Sequence, residues 1–180
     1  MMKRILIGLL SLCCIAGVAF GGTEAGQTEV QVAGSLQNVD MDEFSMTTLS
    51  GQLNINRFLS DNFSLGCALR VSLSEEEDGD KSTSMQTFLL GRGDFYLGTN
   101  FDVIPYIGAQ IGVINYEYND DSESTFTYGA HGGFKFFLSE NISWNAELDV
   151  SVYTQEADYG EDTDITVTSF LVGMSYYFGS

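Results

Sequence analysis

In eight stretches of this chain, apolar side chains recur at every second position: roughly 27–37, 44–56, 62–73, 83–96, 104–116, 125–138, 141–155 and 165–178. A period of two places successive side chains on opposite faces of an extended chain, so each stretch reads as a β-strand with one apolar and one polar face. In GGFKFFLSENISWNAELDV (132–150), Phe134, Phe136 and Leu138 alternate with Gly133 and Lys135. After Ser139-Glu140-Asn141, the row Ile142, Trp144, Ala146, Leu148, Val150 alternates with Ser143, Asn145, Glu147 and Asp149. The third stretch divides cleanly, with Phe63, Leu65, Cys67, Leu69, Val71 and Leu73 against Ser64, Gly66, Ala68, Arg70 and Ser72. The fourth does not: Phe88 and Leu90 share parity with Arg92 and Asp94, which points to a bulge or a one-residue register change. Turned inward, the apolar faces would line a soluble, lipocalin-like carrier of an apolar ligand. Turned outward, they would face lipid.

The breaks between stretches alternate in kind. NVDMDE (38–43), SEEEDGDKS (74–82), EYNDDSES (117–124) and EADYGEDTD (156–164) are long and acidic, and hold 17 of the 25 acidic residues. RFLSD (57–61), LGTNFDV (97–103) and SEN (139–141) form the other set. In an up-and-down meander, strict alternation puts all the long connections at one end. That end is strongly negative, so divalent cations are its candidate partners. No run has calcium-loop spacing, since DGDKSTSMQTF from Asp78 lacks the later glycine and terminal glutamate.

MMKRILIGLLSLCCIAGVAFGG opens the chain with Lys3 and Arg4, an apolar run and small residues before Gly21, the layout of a secretory signal peptide over residues 1–21. A lipoprotein site at Cys13 would need a small residue before it, and Leu12 stands there. Cleavage leaves one domain, 22–180, with five basic and 25 acidic side chains and one cysteine, Cys67. An intrachain disulfide is then excluded. A surface so negative repels phosphate, which excludes nucleic acid as a partner. After the signal no apolar run approaches the 18 residues of a membrane helix, but membrane β-strands need only about 9–11 alternating residues.

Three features favour apolar-out. The stretches are long for a soluble sheet. Aromatics gather near their ends, at Phe44, Phe63, Phe95, Tyr96, Phe126, Tyr128, Phe136, Trp144, Tyr176 and Phe178, as two interfacial girdles would require. The polar face is built of small residues (Gly66, Ala68, Gly108, Gly112, Gly129, Gly133, Ser143, Ser151) with a few charges of both signs, which suits the narrow lumen of an eight-stranded barrel. In such a lumen Arg70, Arg92, Lys135, Glu147 and Asp149 must pair, because an unpaired buried charge costs several kcal/mol. They are expected to form a network that plugs the barrel, the competing reading being a gated narrow pore. The last strand, FLVGMSYYF, puts Phe170, Val172, Met174, Tyr176 and Phe178 on one face. It resembles the C-terminal pattern read by the outer-membrane assembly machinery, although Gly179 and Ser180 follow the aromatic.

The segments NFDVIPYIGAQIGV (100–113), YGAHGGFKFFLSENISWNAELDV (128–150) and the terminal GMSYYF together resemble the eight-stranded outer membrane β-barrel family of Gram-negative bacteria (OmpA/OmpX-like). The first is similar to that family's Pro-Tyr-x-Gly-x-x-x-Gly strand, the second to its glycine-rich, lysine-bearing strand with a Ser-x-Asn turn. The resemblance implies an all-β, eight-stranded antiparallel up-and-down transmembrane β-barrel, set among outer-membrane lipids after export. It fixes fold and location more closely than function. Some outer-membrane enzymes cleave acyl chains with His, Ser and an acid. His131, the one histidine, is their only possible base here and lacks the neighbouring serine or asparagine expected of them. One histidine and one mature cysteine do not make the usual zinc sets, and no phosphate loop occurs. The expectation is a non-enzymatic structural or surface-interaction protein without cofactor, ending with the barrel.

Overall fold

The computed structural model describes residues 23–41, 44–78, 80–99, 102–118, 121–155 and 163–179, and within these it leaves aside the side chains at 37–46, 76–82, 117–122 and 155–163. Eight strands follow in chain order: β1 (Thr28–Met41), β2 (Phe44–Ser60), β3 (Phe63–Asp78), β4 (Asp80–Tyr96), β5 (Val103–Tyr118), β6 (Asp121–Ser139), β7 (Ile142–Gln155) and β8 (Thr163–Phe178). Each pairs antiparallel with its sequence neighbours, and β8 returns to β1, so the sheet is a closed up-and-down barrel.

Register fixes its shape. Following partners once round from Gln31 through Asn54, Ala68, Leu90, Gly112, Thr127 and Tyr153 arrives at Ile165, whereas across the closing seam Gln31 pairs with Ser175, an offset of ten residues. Eight strands with such an offset tilt by roughly 40° and enclose a lumen just wide enough for side chains. Among the described residues the closing seam is the shortest ladder, with Thr28–Gly34 paired to Val172–Phe178.

The apolar rows face outward. Leu53, Leu69, Leu89, Ile107, Ile111, Phe134, Leu148 and Phe170 are all exposed on the outer wall. On β3 this row runs from Phe63 to Leu73. At about 3.3 Å per residue and a tilt near 40°, it rises roughly 25 Å, the height of a membrane barrel's apolar band. Aromatics border the band, with Phe95, Tyr176 and Phe178 exposed towards the short turns and Phe126 and Tyr128 towards the acidic end.

Three details differ from the sequence reading. Tyr96 does not join a girdle: it is buried inside, because its parity on β4 is that of Arg92 and Asp94. β4 carries no bulge, and its ladders to β3 and β5 run unbroken; Phe88 and Leu90 keep lumen parity and pack inside with Ala68, Ile114 and Tyr153. The irregularities fall instead beside two short turns, at Phe58/Ser60 and Phe137/Ser139. Finally, three acidic breaks are largely strand. Ladders continue to Met41↔Phe44, Asp78↔Asp80 and Tyr118↔Asp121, because backbone pairing needs no apolar side chain. Residues 156–162 lie outside the described residues.

Leu69→Arg, placed on the outer wall near the middle of the band, is expected to destabilise the barrel by about 2–4 kcal/mol. Reversible urea unfolding from lipid vesicles measures this. An unchanged midpoint would mean that this wall does not meet lipid.

Candidate functional site: the barrel lumen

The lumen is filled in layers. Towards the short turns, Phe58, Tyr96, Ile104, Tyr106, Phe137 and Tyr177 form a floor, with ring centroids 5.0 Å apart for Phe58–Tyr96, 5.7 Å for Tyr96–Tyr106 and 5.2 Å for Phe137–Tyr177. Lys135 lies on this floor with Nζ 5.0 Å from the Tyr106 ring centroid, a cation–π contact in a water-poor setting. Its ammonium donates to Glu29, which also accepts from Ser175 and, at 3.3 Å, from Tyr96.

Above Lys135 sits a second pair. Arg92 Nη1 and Nη2 donate to Glu147 Oε1 and Oε2 at 3.1 and 2.8 Å, the bidentate geometry in which a guanidinium best matches a carboxylate. Tyr106 adds its hydroxyl to Glu147 at 2.7 Å. Arg92 Nη2 is also 3.8 Å from Asp94, which meets His131 Nε2 as well and accepts from Asn56 Nδ2 at 3.4 Å. Gly108 is what lets the histidine reach: a Cβ there would overlap His131 Nε2 and stand 2.6 Å from Asp94 Oδ1. Towards the acidic end, Arg70 donates from Nε to Gln52 Oε1 at 2.6 Å and from Nη1 to Asp149 Oδ1 at 3.0 Å. Gln110 Nε2 holds the second Asp149 oxygen at 2.6 Å.

None of these eight ionisable groups is more than 5% exposed. Four acids, Glu29, Asp94, Glu147 and Asp149, face three permanent cations, and His131 stands on the acid left over. Removing charges from water costs several kcal/mol each, recovered only where every carboxylate finds a cation and further donors. The layered contacts provide both.

Of the five charges singled out in the sequence, the structure sets Arg92 against Glu147 and Arg70 against Asp149, and gives Lys135 a different partner. Glu29, Asp94 and His131 complete the set. Parity carries the missing signal: Glu29 alternates in phase with Gln31 on β1, and Asp94 with Arg92 on β4. His131 meets Asp94, and no serine is among its hydrogen-bond partners in the described residues. Among those residues no three His, Cys, Asp or Glu side chains group as a metal site, and Cys67 faces outward. On the outer wall of β8, Phe170, Val172, Met174, Tyr176 and Phe178 form one exposed row.

The profile of the outer membrane protein beta-barrel domain matches residues 6–178. The chain belongs to this family. Its location is the outer membrane of a Gram-negative bacterium. Solved structures share the fold. Neisserial surface protein A superposes with a TM-score of 0.63 at 12% identity, covering 85% of this chain and 99% of that one. The outer membrane protein OprG from Pseudomonas aeruginosa gives 0.59 at 13% identity, covering 88% and 99%. The N-terminal β-barrel domain of Pseudomonas aeruginosa OprF gives 0.51 at 19% identity, covering 87% and 99%. No curated protein matches the chain by sequence. As a family member the barrel sets its apolar wall against lipid, which leaves the lumen polar and disfavours the soluble carrier.

Arg92→Met strands Glu147 in the lumen and is expected to cost about 3–5 kcal/mol, while Arg92→Met with Glu147→Met regains much of it. Urea titration of the single and double variants checks this; additive losses would show that the two side chains do not act as a pair. Gly108→Ala, which crowds His131 and Asp94, is expected to destabilise by about 1–3 kcal/mol in the same assay.

Proposed function

We propose that this protein is a non-enzymatic structural and surface-interaction barrel, sealed to solutes along its axis, with its acidic hairpins outside the cell. The observation that carries the reading is the layered lumen, in which an aromatic floor, three ion-paired layers and a further apolar cluster of described residues succeed one another; the reading takes them to close the axis. A gated narrow pore would need the Arg92–Glu147 and Lys135–Glu29 layers to part together, against the desolvation cost of each charge. An acyl-chain hydrolase would need a serine on the ring nitrogen of His131 that Asp94 leaves open, and no serine is among the hydrogen-bond partners of His131 in the described residues.

In the same reading residues 1–21 direct export and are removed, and 22–180 form the barrel. The β8 row Phe170, Val172, Met174, Tyr176, Phe178 is read by the assembly machinery. The acidic ends take up divalent cations, alone or shared with lipid phosphates.

Two measurements test this. In planar bilayers the refolded protein is expected to give no steady channels, and regular single-channel steps would replace the sealed barrel with a pore. Ser122→Cys in a Cys67→Ala background is expected to react with a membrane-impermeant maleimide on intact cells. Labelling only after lysis would place the acidic end in the periplasm.

A further inference from the structure

We propose that the lumen chamber between Arg70 and the acidic end binds a single uncharged sugar ring. The chamber measures about 170 Å³ and is bordered by Arg70 of β3, Phe88 of β4 and Ser169 of β8. In liquid terms that volume corresponds to roughly five or six waters, the room one sugar ring takes.

The wall calls for a ligand that both donates and accepts. Arg70 is 1% exposed; its Nε and Nη1 are taken by Gln52 and Asp149, and Nη2 has no partner among the described residues. A buried guanidinium N–H without an acceptor is costly, and an oxygen brought in through the chamber removes that cost. Two hydroxyl pairs line the same space, Ser50 with Ser72 at 2.8 Å and Thr48 with Ser74 at 2.9 Å. Each pair spends one O–H on itself, which leaves it a further O–H and spare lone pairs for a ligand. Phe88 and Val167 add apolar wall, suited to the C–H face of a sugar.

Exposure of the lining shows where the chamber opens. On β2, β3, β4 and β8 the lining residue nearer the acidic end is half-buried and the one two positions deeper is buried: Thr48 and Ser50, Ser74 and Ser72, Gln86 and Phe88, Val167 and Ser169. Solvent therefore reaches the chamber from the acidic end.

Charge then selects the ligand. Asp149 already neutralises Arg70 at 3.0 Å, so an added anion would sit in the lumen without a cation of its own. It would also have to pass the acidic end of a chain whose formal charge is −18. A cation would meet the guanidinium. An uncharged polyhydroxyl molecule avoids both penalties and serves Arg70 Nη2 and the hydroxyl pairs together. It never crosses the aromatic floor, so it is compatible with a lumen sealed along its axis. Binding needs only the barrel, whereas arrival from outside the cell rests on the orientation proposed above, which the maleimide labelling tests separately.

The experiment uses the barrel refolded into lipid nanodiscs, free of glycoside detergent. The probes are the methyl glycosides of glucose, galactose and mannose, followed by saturation-transfer NMR. At least one is expected to bind saturably. Arg70→Lys keeps a cation for Asp149 but loses Nη2, and is expected to weaken that binding at least about tenfold. Ser50→Ala with Ser72→Ala, which removes one hydroxyl pair and strands neither partner, is expected to weaken it by a similar factor. Ser169→Leu, which fills the chamber without touching an ion pair, is expected to abolish binding while the unboiled protein keeps its folded gel mobility. No saturable binding of any of the three glycosides, or full binding to Ser169→Leu, overturns the site. Wild-type affinity in both Arg70→Lys and the double serine variant overturns the assigned contacts. Glucuronate or acetate binding more tightly than the neutral glycosides overturns the uncharged ligand in favour of an anion.

Discussion

Backbone amides in hydrocarbon have no water to pair with, so every N–H and C=O there must find another strand. That requirement closes the sheet, and with eight strands and a ten-residue offset, closure leaves a lumen only a side chain or two across. Everything distinctive about the interior follows. Side chains of lumen parity cannot reach bulk water, so each charged one needs an opposite charge across the barrel. Asp149 is held by Arg70 from β3 and Gln110 from β5, and Glu29 on β1 by Lys135 from β6. These contacts tie strands that share no ladder, so the barrel is braced across its width as well as around its wall.

A polar interior is an unusual way to fill a core. In water, apolar side chains gain by leaving solvent; here the solvent for the outer wall is lipid, and apolar residues gain most by facing out. The lumen is then packed by what remains on the opposite parity. Rings close the end near the short turns, where Phe58, Tyr96 and Tyr177 pack, and ion pairs take the middle. Glycine is used where two such groups must approach across the wall, as at Gly108 beneath His131 and Asp94.

Strand count, topology and the facing of the third, fifth and seventh strands were legible in the chain because alternation survives there without interruption. Phe88 and Leu90 defeated the same reading. An apolar side chain at lumen parity looks like a register error until the Ala68–Phe88–Ile114–Tyr153 cluster shows where it packs. Tyr96 misled for a related reason: a ring with a hydroxyl suits an interface as well as a floor. Strand ends in the acidic segments were hidden because both parities are polar above the membrane and the period disappears. Which cation met which carboxylate was not legible at all, since pairing depends on the offset of the closed sheet. Lys135 takes Glu29, 106 positions away in the chain.

The ladders that continue through the acidic segments change what another molecule meets there. On β3 the outer apolar row stops at Leu73 and the strand runs on to Asp78. Five residues at that pitch and tilt carry the hairpin roughly 12 Å beyond the band. The acidic segment therefore continues as paired backbone beyond the band, with that backbone's conformational entropy already spent in folding. Docking on backbone that is already paired costs less conformational freedom than ordering a floppy loop would.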